Sequence, residues 1–148
     1  MKDKYLMLSK CIINVMFFCG IPTTVAVPFF LKWYGRINKY YDDYYILQTI
    51  LFLICGTFAC LIVYELRKMI KSVECDNCFV RDNVVSLKRM GIYSFIIGAA
   101  CFVRMFLYAT PGAFALVIVF VIAGLFSKVL SNVFDRAVTY KEENDMTI

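Results

Sequence analysis

The sequence predicts an all-α, polytopic transmembrane four-helix bundle with both termini cytoplasmic. Three observations carry that expectation. The chain is 61% hydrophobic and only 18% charged, against about 45–50% and about 25% in soluble domains. Its mean hydropathy is +0.72. Its apolar residues fall in four blocks, each close to the ~20 residues that cross ~30 Å of hydrocarbon. With 148 residues, the chain has room for one membrane domain, residues 1–148.

The first span is expected over residues 6–31. Lys10 interrupts it early, and Pro22 and Pro28 lie in its second half. A proline removes a helical hydrogen bond and bends the axis. Membranes tolerate this where neighbours satisfy the freed carbonyl, so a kinked helix is expected. The same block admits a second reading as a signal peptide. Lys2 and Lys4 make a basic start, and Thr24-Val25-Ala26 weakly matches a cleavage site. Against it, the apolar run resumes at once with Phe29, Phe30 and Leu31.

Residues 32–43 carry Trp33, Tyr34, Tyr40 and Tyr41, followed by Tyr44 and Tyr45. Amphipathic rings collect at headgroup level, so a short interfacial loop is expected. The second span covers 44–64 and ends at Glu65, Arg67, Lys68 and Lys71. A polar loop over 65–90 follows, and Asp82 or Asn83 is the expected N-cap of a helix that begins before the membrane. The third span covers 91–109. Thr110-Pro111-Gly112 signals a tight turn, and the fourth span covers 113–134. The tail, 135–148, is polar.

Topology follows from lysine and arginine. Lys2, Lys4 and Lys10 precede the first span. Arg67, Lys68, Lys71, Arg81, Lys88 and Arg89 lie in the middle loop, and Lys128, Arg136 and Lys141 near the end. Only Lys32, Arg36 and Lys39 lie on the other side, and Arg104 falls within a span. The positive-inside rule then places both termini and the middle loop in the cytoplasm of a multi-pass cell-membrane protein. The net charge of +5 fits loops facing anionic lipid, and no direct nucleic-acid binding is expected.

Two segments carry a resemblance. One is Phe79-Val80-Arg81-Asp82-Asn83-Val84-Val85-Ser86-Leu87-Lys88-Arg89-Met90-Gly91. The other is the ending Glu142-Glu143-Asn144-Asp145-Met146-Thr147-Ile148. With two spans between them, they make the chain resemble a bacterial membrane family catalogued as domain of unknown function 2975. The resemblance covers essentially the whole chain, although the first half matches only as generic spans. Cys75 and Cys78 are outside the family pattern, and Met146 stands where leucine is more usual. The resemblance implies a four-span fold. It also suggests a partner, a small helix-turn-helix regulator encoded beside such proteins.

Candidate chemistry is sparse. The chain has no histidine, which removes the commonest general base and metal ligand. No Ser-His-Asp set, phosphate loop or nucleotide fingerprint is present, so a non-enzyme without cofactor or metal is expected. Five of the seven cysteines, Cys11, Cys19, Cys55, Cys60 and Cys101, lie in apolar runs and behave as small hydrophobes. Cys75 and Cys78 form a single CxxC, short of the four ligands of structural zinc unless a dimer shares them.

Arg104 is the most unusual residue, because an arginine at a span centre costs about 2.5–3.5 kcal/mol on insertion scales. Its readings are snorkelling to headgroups, an ion pair with Asp42 or Asp43, or an anion or lipid site. Glu65 is expected in an interfacial ion pair with Arg67, Lys68 or Lys128. Gly98, Ala99 and Ala100 suit close helix packing.

The segments Phe79-Val80-Arg81-Asp82-Asn83 and Tyr140-Lys141-Glu142-Glu143-Asn144 both read aromatic-x-x-acid-Asn, and each can cap a helix. The tail can also dock a partner or fold back, its acids Glu142, Glu143 and Asp145 facing Arg81, Lys88 and Arg89.

The expected function is that of a non-enzymatic membrane regulator or sensor. It would hold a cytoplasmic partner, such as a small helix-turn-helix transcription factor, through Phe79, Asp82, Asn83, Glu142, Glu143, Asn144, Asp145, Met146, Thr147 and Ile148. One alternative is a small transporter or channel subunit with Arg104 on the path. Another is self-immunity against a membrane-active peptide through the face between Trp33 and Tyr45. Homo-oligomers are compatible with all three.

Overall fold

The computed structural model describes residues 4–147, apart from the side chain of Tyr40. These residues form five helices in chain order: α1 (Lys4–Gly35), α2 (Lys39–Asp43), α3 (Tyr45–Glu74), α4 (Arg81–Leu107) and α5 (Pro111–Met146). No strand occurs among them. Four of the helices are long and apolar enough to cross a membrane.

The helices outrun the expected spans. α3 continues ten residues beyond residue 64, α4 starts ten residues before Gly91, and α5 continues twelve residues beyond residue 134. The expected loop over 65–90 therefore shrinks to 75–80, and most of the expected tail is helix. The reason is local. These polar stretches hold neither glycine nor proline, and residues such as Leu66, Arg67, Lys68, Met69 and Glu142 are good helix formers. Hydropathy marks where a chain leaves lipid, which is a different boundary from where hydrogen bonding stops. At the other end, α1 runs on to Gly35 and α2 forms a short helix, so the expected interfacial loop is largely helical too.

Each helix end has its own stop. α3 ends in two bonds, from Asp76 N–H to the Val73 carbonyl at 3.1 Å and from Asn77 N–H to the Ser72 carbonyl at 3.1 Å. That pairing is a Schellman motif, which needs a left-handed residue just past the helix. Asp76, with φ 54°, fills that position. α4 starts at N-cap Val80, which offers no side-chain cap, so neither Asp82 nor Asn83 is the cap the sequence suggested. Asn83 instead donates from Nδ2 to the Cys78 carbonyl at 2.7 Å. α5 starts as expected: Thr110 Oγ1 accepts from Ala113 N–H at 3.2 Å, with Pro111 in the first turn.

Packing follows chain order. α1 lies on α3, α3 on α4, and α4 on α5; among the described residues α1 and α5 make no close backbone approach to each other. α4 is the central helix. Val84, Leu87, Gly91, Ser94, Gly98 and Cys101 are buried at alternating spacings of three and four, one stripe of a helix. The outer surface is apolar, with Phe18, Val25, Phe29, Phe106 and Phe126 exposed, as lipid requires.

Close approach occurs at glycines other than the one singled out. A Cβ at Gly56 would stand 2.7 Å from Thr24 Oγ1, and one at Gly91 would stand 3.3 Å from the Gly124 carbonyl oxygen. At Gly98 a Cβ would meet Phe120 Cβ at an ordinary 3.6 Å, and Ala99 is exposed.

The antiparallel order puts both described chain ends and the 75–80 loop at one end of the molecule, the loop end. Lys10 near the start of α1 pairs with Glu74 at the end of α3 at 2.8 Å. The opposite, turn end gathers aromatic residues. The Tyr34 and Tyr41 rings are 5.0 Å apart, Tyr41 and Tyr108 are 6.4 Å apart, and Tyr45 donates to the Pro28 carbonyl at 3.1 Å.

Candidate functional site

The loop end brings the two motif segments together. The start of α4 and the far end of α5 lie side by side because the α4–α5 pair is antiparallel and both helices overrun the expected apolar spans. Arg81, the first residue of α4, bridges to Asp135 and reaches Glu142 at 2.8 Å, two turns apart on α5. It also donates to Thr139 Oγ1 at 3.3 Å. Lys141 donates to Asn77 Oδ1 at 2.8 Å. The Phe79 ring meets Phe134, with centroids 5.4 Å apart. Hydrogen bonding to Arg81 holds the Glu142 carboxyl below its ordinary value of 4.5, and the same contact raises the Arg81 guanidinium. Both groups are exposed, so the bridge orients the surface more than it stabilises the fold.

The fold-back expected for the tail is realised in part and by another route. α5 does not turn back; it continues straight beside the loop. Of Glu142, Glu143 and Asp145, only Glu142 pairs with a cation of the loop, and of Arg81, Lys88 and Arg89 only Arg81 meets the α5 extension among the described residues. Asp135, outside the expected set, supplies the other contact.

The expected partner-binding residues divide into two groups. Phe79, Asp82, Glu142, Glu143, Asn144, Asp145, Met146 and Thr147 are exposed. Asn83 is buried at 1% exposure; it ties the loop from beneath and adds nothing to the surface. Ile148 lies outside the described residues. From Tyr140 to Thr147 every residue is exposed on all sides of the helix, and Tyr140 and Met146 are 71% and 81% exposed. That stretch projects beyond the residue-134 span end by about 18 Å at 1.5 Å per residue.

Beneath this surface sits a polar latch. Glu65 of α3 is buried at 3% exposure. It accepts from Ser86 Oγ at 2.7 Å and from Arg89 Nη1 at 3.3 Å. The ion pair expected at Glu65 is thus present, but with Arg89 of α4 in place of Arg67, Lys68 or Lys128. Arg67 instead lies over Phe17, 5.4 Å from the ring centroid. One level away, Ser131 of α5 donates to the Val84 carbonyl at 3.2 Å. Ser86 and Ser131 escaped notice in the sequence; their signal is a small hydroxyl residue where helix backbones must meet.

Arg104 makes no ion pair with Asp42 or Asp43 among the described residues. Its guanidinium lies 4.6 Å from the centroid of the Phe52 ring, and its Nε is buried without a partner. Asp42 and Asp43 are exposed on α2 beside Lys32, around a shallow depression at the turn end. Cys75 is exposed and Cys78 half-buried, flanking the left-handed turn at Asp76.

Among known proteins, no curated sequence and no solved structure matches the chain. A family model described as "Protein of unknown function (DUF2975)" matches residues 32–148. The match takes in α2 to α5 with both motif segments and begins at Lys32, leaving out most of α1. The chain, with its four membrane-capable helices, belongs to the DUF2975 family of unknown function.

Proposed function

We propose that this membrane protein is a non-enzymatic regulator or sensor that holds a soluble partner at its loop end. The carrying observation is that the 77–83 segment and the end of α5, some sixty residues apart in sequence, are joined into one water-exposed surface. Arg81 and Lys141 join it. Exposed Phe79, Tyr140 and Met146 supply apolar anchors outside the lipid, the kind of side chain that centres an interface. Glu143 and Asp145 surround them with negative charge, which suits a basic partner.

In this reading the surface faces the cytoplasm, as the distribution of lysine and arginine implies. The partner is of the class that the family resemblance suggests, a small helix-turn-helix DNA-binding protein. Holding it at the membrane keeps it from DNA, and release is the regulated step.

Affinity purification of the full chain from native membranes tests this. The wild type is expected to bring down one small DNA-binding protein, and a Tyr140→Asp, Met146→Asp double variant is expected to lose it while keeping its helix content. Equal recovery from both chains, or recovery of membrane proteins only, overturns the reading.

A further inference from the structure

We propose a second site at the opposite end: the groove between α1 and α5 holds one anionic phospholipid, its phosphate on Arg104 and an acyl chain along α3 and α4. This site stands independently of the soluble-partner reading. It rests on the shape of the groove and on unpaired polar groups beside it.

The shape comes from chain order. α1 and α5 are the two outer helices, and they do not close on each other. A cavity of about 270 Å³ remains between them, floored by α3 and α4. Val27 of α1, Phe52 and Ala59 of α3, and Leu116 and Phe120 of α5 line it together with Arg104. Its open side lies between the two outer helices, whose outward residues Val25 and Phe126 are apolar and exposed. That volume is about nine times the ~30 Å³ of a liquid water molecule, room for part of an acyl chain. From Phe52 to Ala59 the floor runs about 10 Å along α3.

The chemistry comes from Arg104. It stands in the last turn of α4, so an anion there would lie near headgroup depth and an attached chain would run inward. Its guanidinium carbon lies over the Phe52 ring, 4.6 Å from the centroid, and its Nε is buried and unpartnered. Arginine offers a planar fork of donors that matches phosphate oxygens, and stacking on a ring fixes its plane. Gln48 is the second observation. It lies one turn from Phe52 on α3, is fully buried, and neither atom of its amide has a partner. Buried polar groups are rarely left so; Gln48 itself stands behind the groove wall, one turn from Phe52, which lines it. The lateral opening selects a bilayer lipid over free phosphate.

The test uses the full chain in vesicles of mixed phosphatidylglycerol and phosphatidylcholine, released into detergent and weighed by native mass spectrometry. The wild type is expected to retain one phosphatidylglycerol, favoured over phosphatidylcholine by about tenfold. Arg104→Leu is expected to abolish the headgroup preference. Ala59→Phe fills the groove from an exposed position and is expected to lower retention of both lipids. Added phosphatidylglycerol should raise the thermal midpoint of the wild type and leave that of Arg104→Leu unchanged. If Arg104→Leu does not fold, Arg104→Lys keeps the charge without the fork and is expected to weaken the preference. Retention blind to headgroup, or unchanged in both the arginine and the Ala59→Phe variants, overturns the proposal. So does equal stabilisation by inorganic phosphate, which would leave the acyl chain without a role.

Discussion

α4 and α1 are both long apolar helices, yet α4 buries eleven residues and α1 only two. Their difference lies in what punctuates the apolar run. α4 carries Gly91, Ser94, Gly98 and Cys101 on one stripe and Ser86 beside it. The small residues let neighbouring backbones close in, and Ser86 supplies the hydroxyl of a polar latch. α1 packs on one long helix alone, with small residues such as Gly20 and Thr24 at that contact, and carries two internal prolines. It meets α3 closely where Gly56 faces Thr24. The family model tracks the same division, since it covers α4 and α5 and omits most of α1. Hydropathy says which helices enter a membrane. Small and polar residues within those helices say which one the others are built around.

Substitutions can sharpen that contrast. The largest effect is expected at Gly91→Leu, because the α4–α5 contact there is backbone against backbone. Overpacking costs about 1–3 kcal/mol and occasionally more, and here the central pair has nowhere to move. Loss of folded protein in a denaturing-detergent titration would be the readout, with no folded fraction like that of wild type. Ser86→Ala comes next. It takes one of two hydrogen-bond partners from the buried Glu65 carboxylate, a loss of about 1.5–3 kcal/mol for a bond to a charged group. Gly56→Leu is expected to cost about 1–3 kcal/mol but to act locally. It should push α1 off α3 and leave the α4–α5 pair intact, seen as faster proteolysis of α1 alone. Global unfolding by Gly56→Leu would erase the distinction between core and periphery.

Two smaller effects concern the loop end. Asp76→Gly is expected to stabilise by about 0.5–1 kcal/mol, since glycine adopts the left-handed conformation without the Cβ penalty. A lower thermal midpoint would contradict the Schellman assignment. The Arg81–Glu142 contact gives the smallest effect. The Glu142 carboxyl is depressed by its hydrogen bond to Arg81, so the contact contributes fully above the ordinary value of 4.5. It is lost as pH falls through the lowered value. Between neutral pH and 4.5 the distance between labels on Arg81 and Glu142 neighbours should not change; below that, it should lengthen.

Much of the fold was legible in the residues. Four apolar blocks set the number of crossing helices, Thr110-Pro111-Gly112 set the α4–α5 turn, and alternating polar ends put both termini on the side of the middle loop. Helix lengths were not legible from hydropathy, because nothing in residues 65–74, 81–90 or 135–146 stops a helix once it has begun. The site was half legible. The recurrence of aromatic-x-x-acid-Asn picked out both segments that meet, yet Asn83 is buried and Asp135 takes up the bridge. Pairings at Glu65 and Arg104 depend on which helix faces which. Charge in sequence offers Lys68 or Asp42 as readily as Arg89 or the Phe52 ring.

The central claim is that the 77–83 segment and the end of α5 act as one docking surface. Photoreactive residues at Phe79 and Met146, with Phe106 at the turn end as the control, test it most directly in native membranes. The account predicts that the same small DNA-binding protein is captured from Phe79 and from Met146, and only lipid from Phe106. Capture of lipid or of the chain itself from all three positions would contradict it.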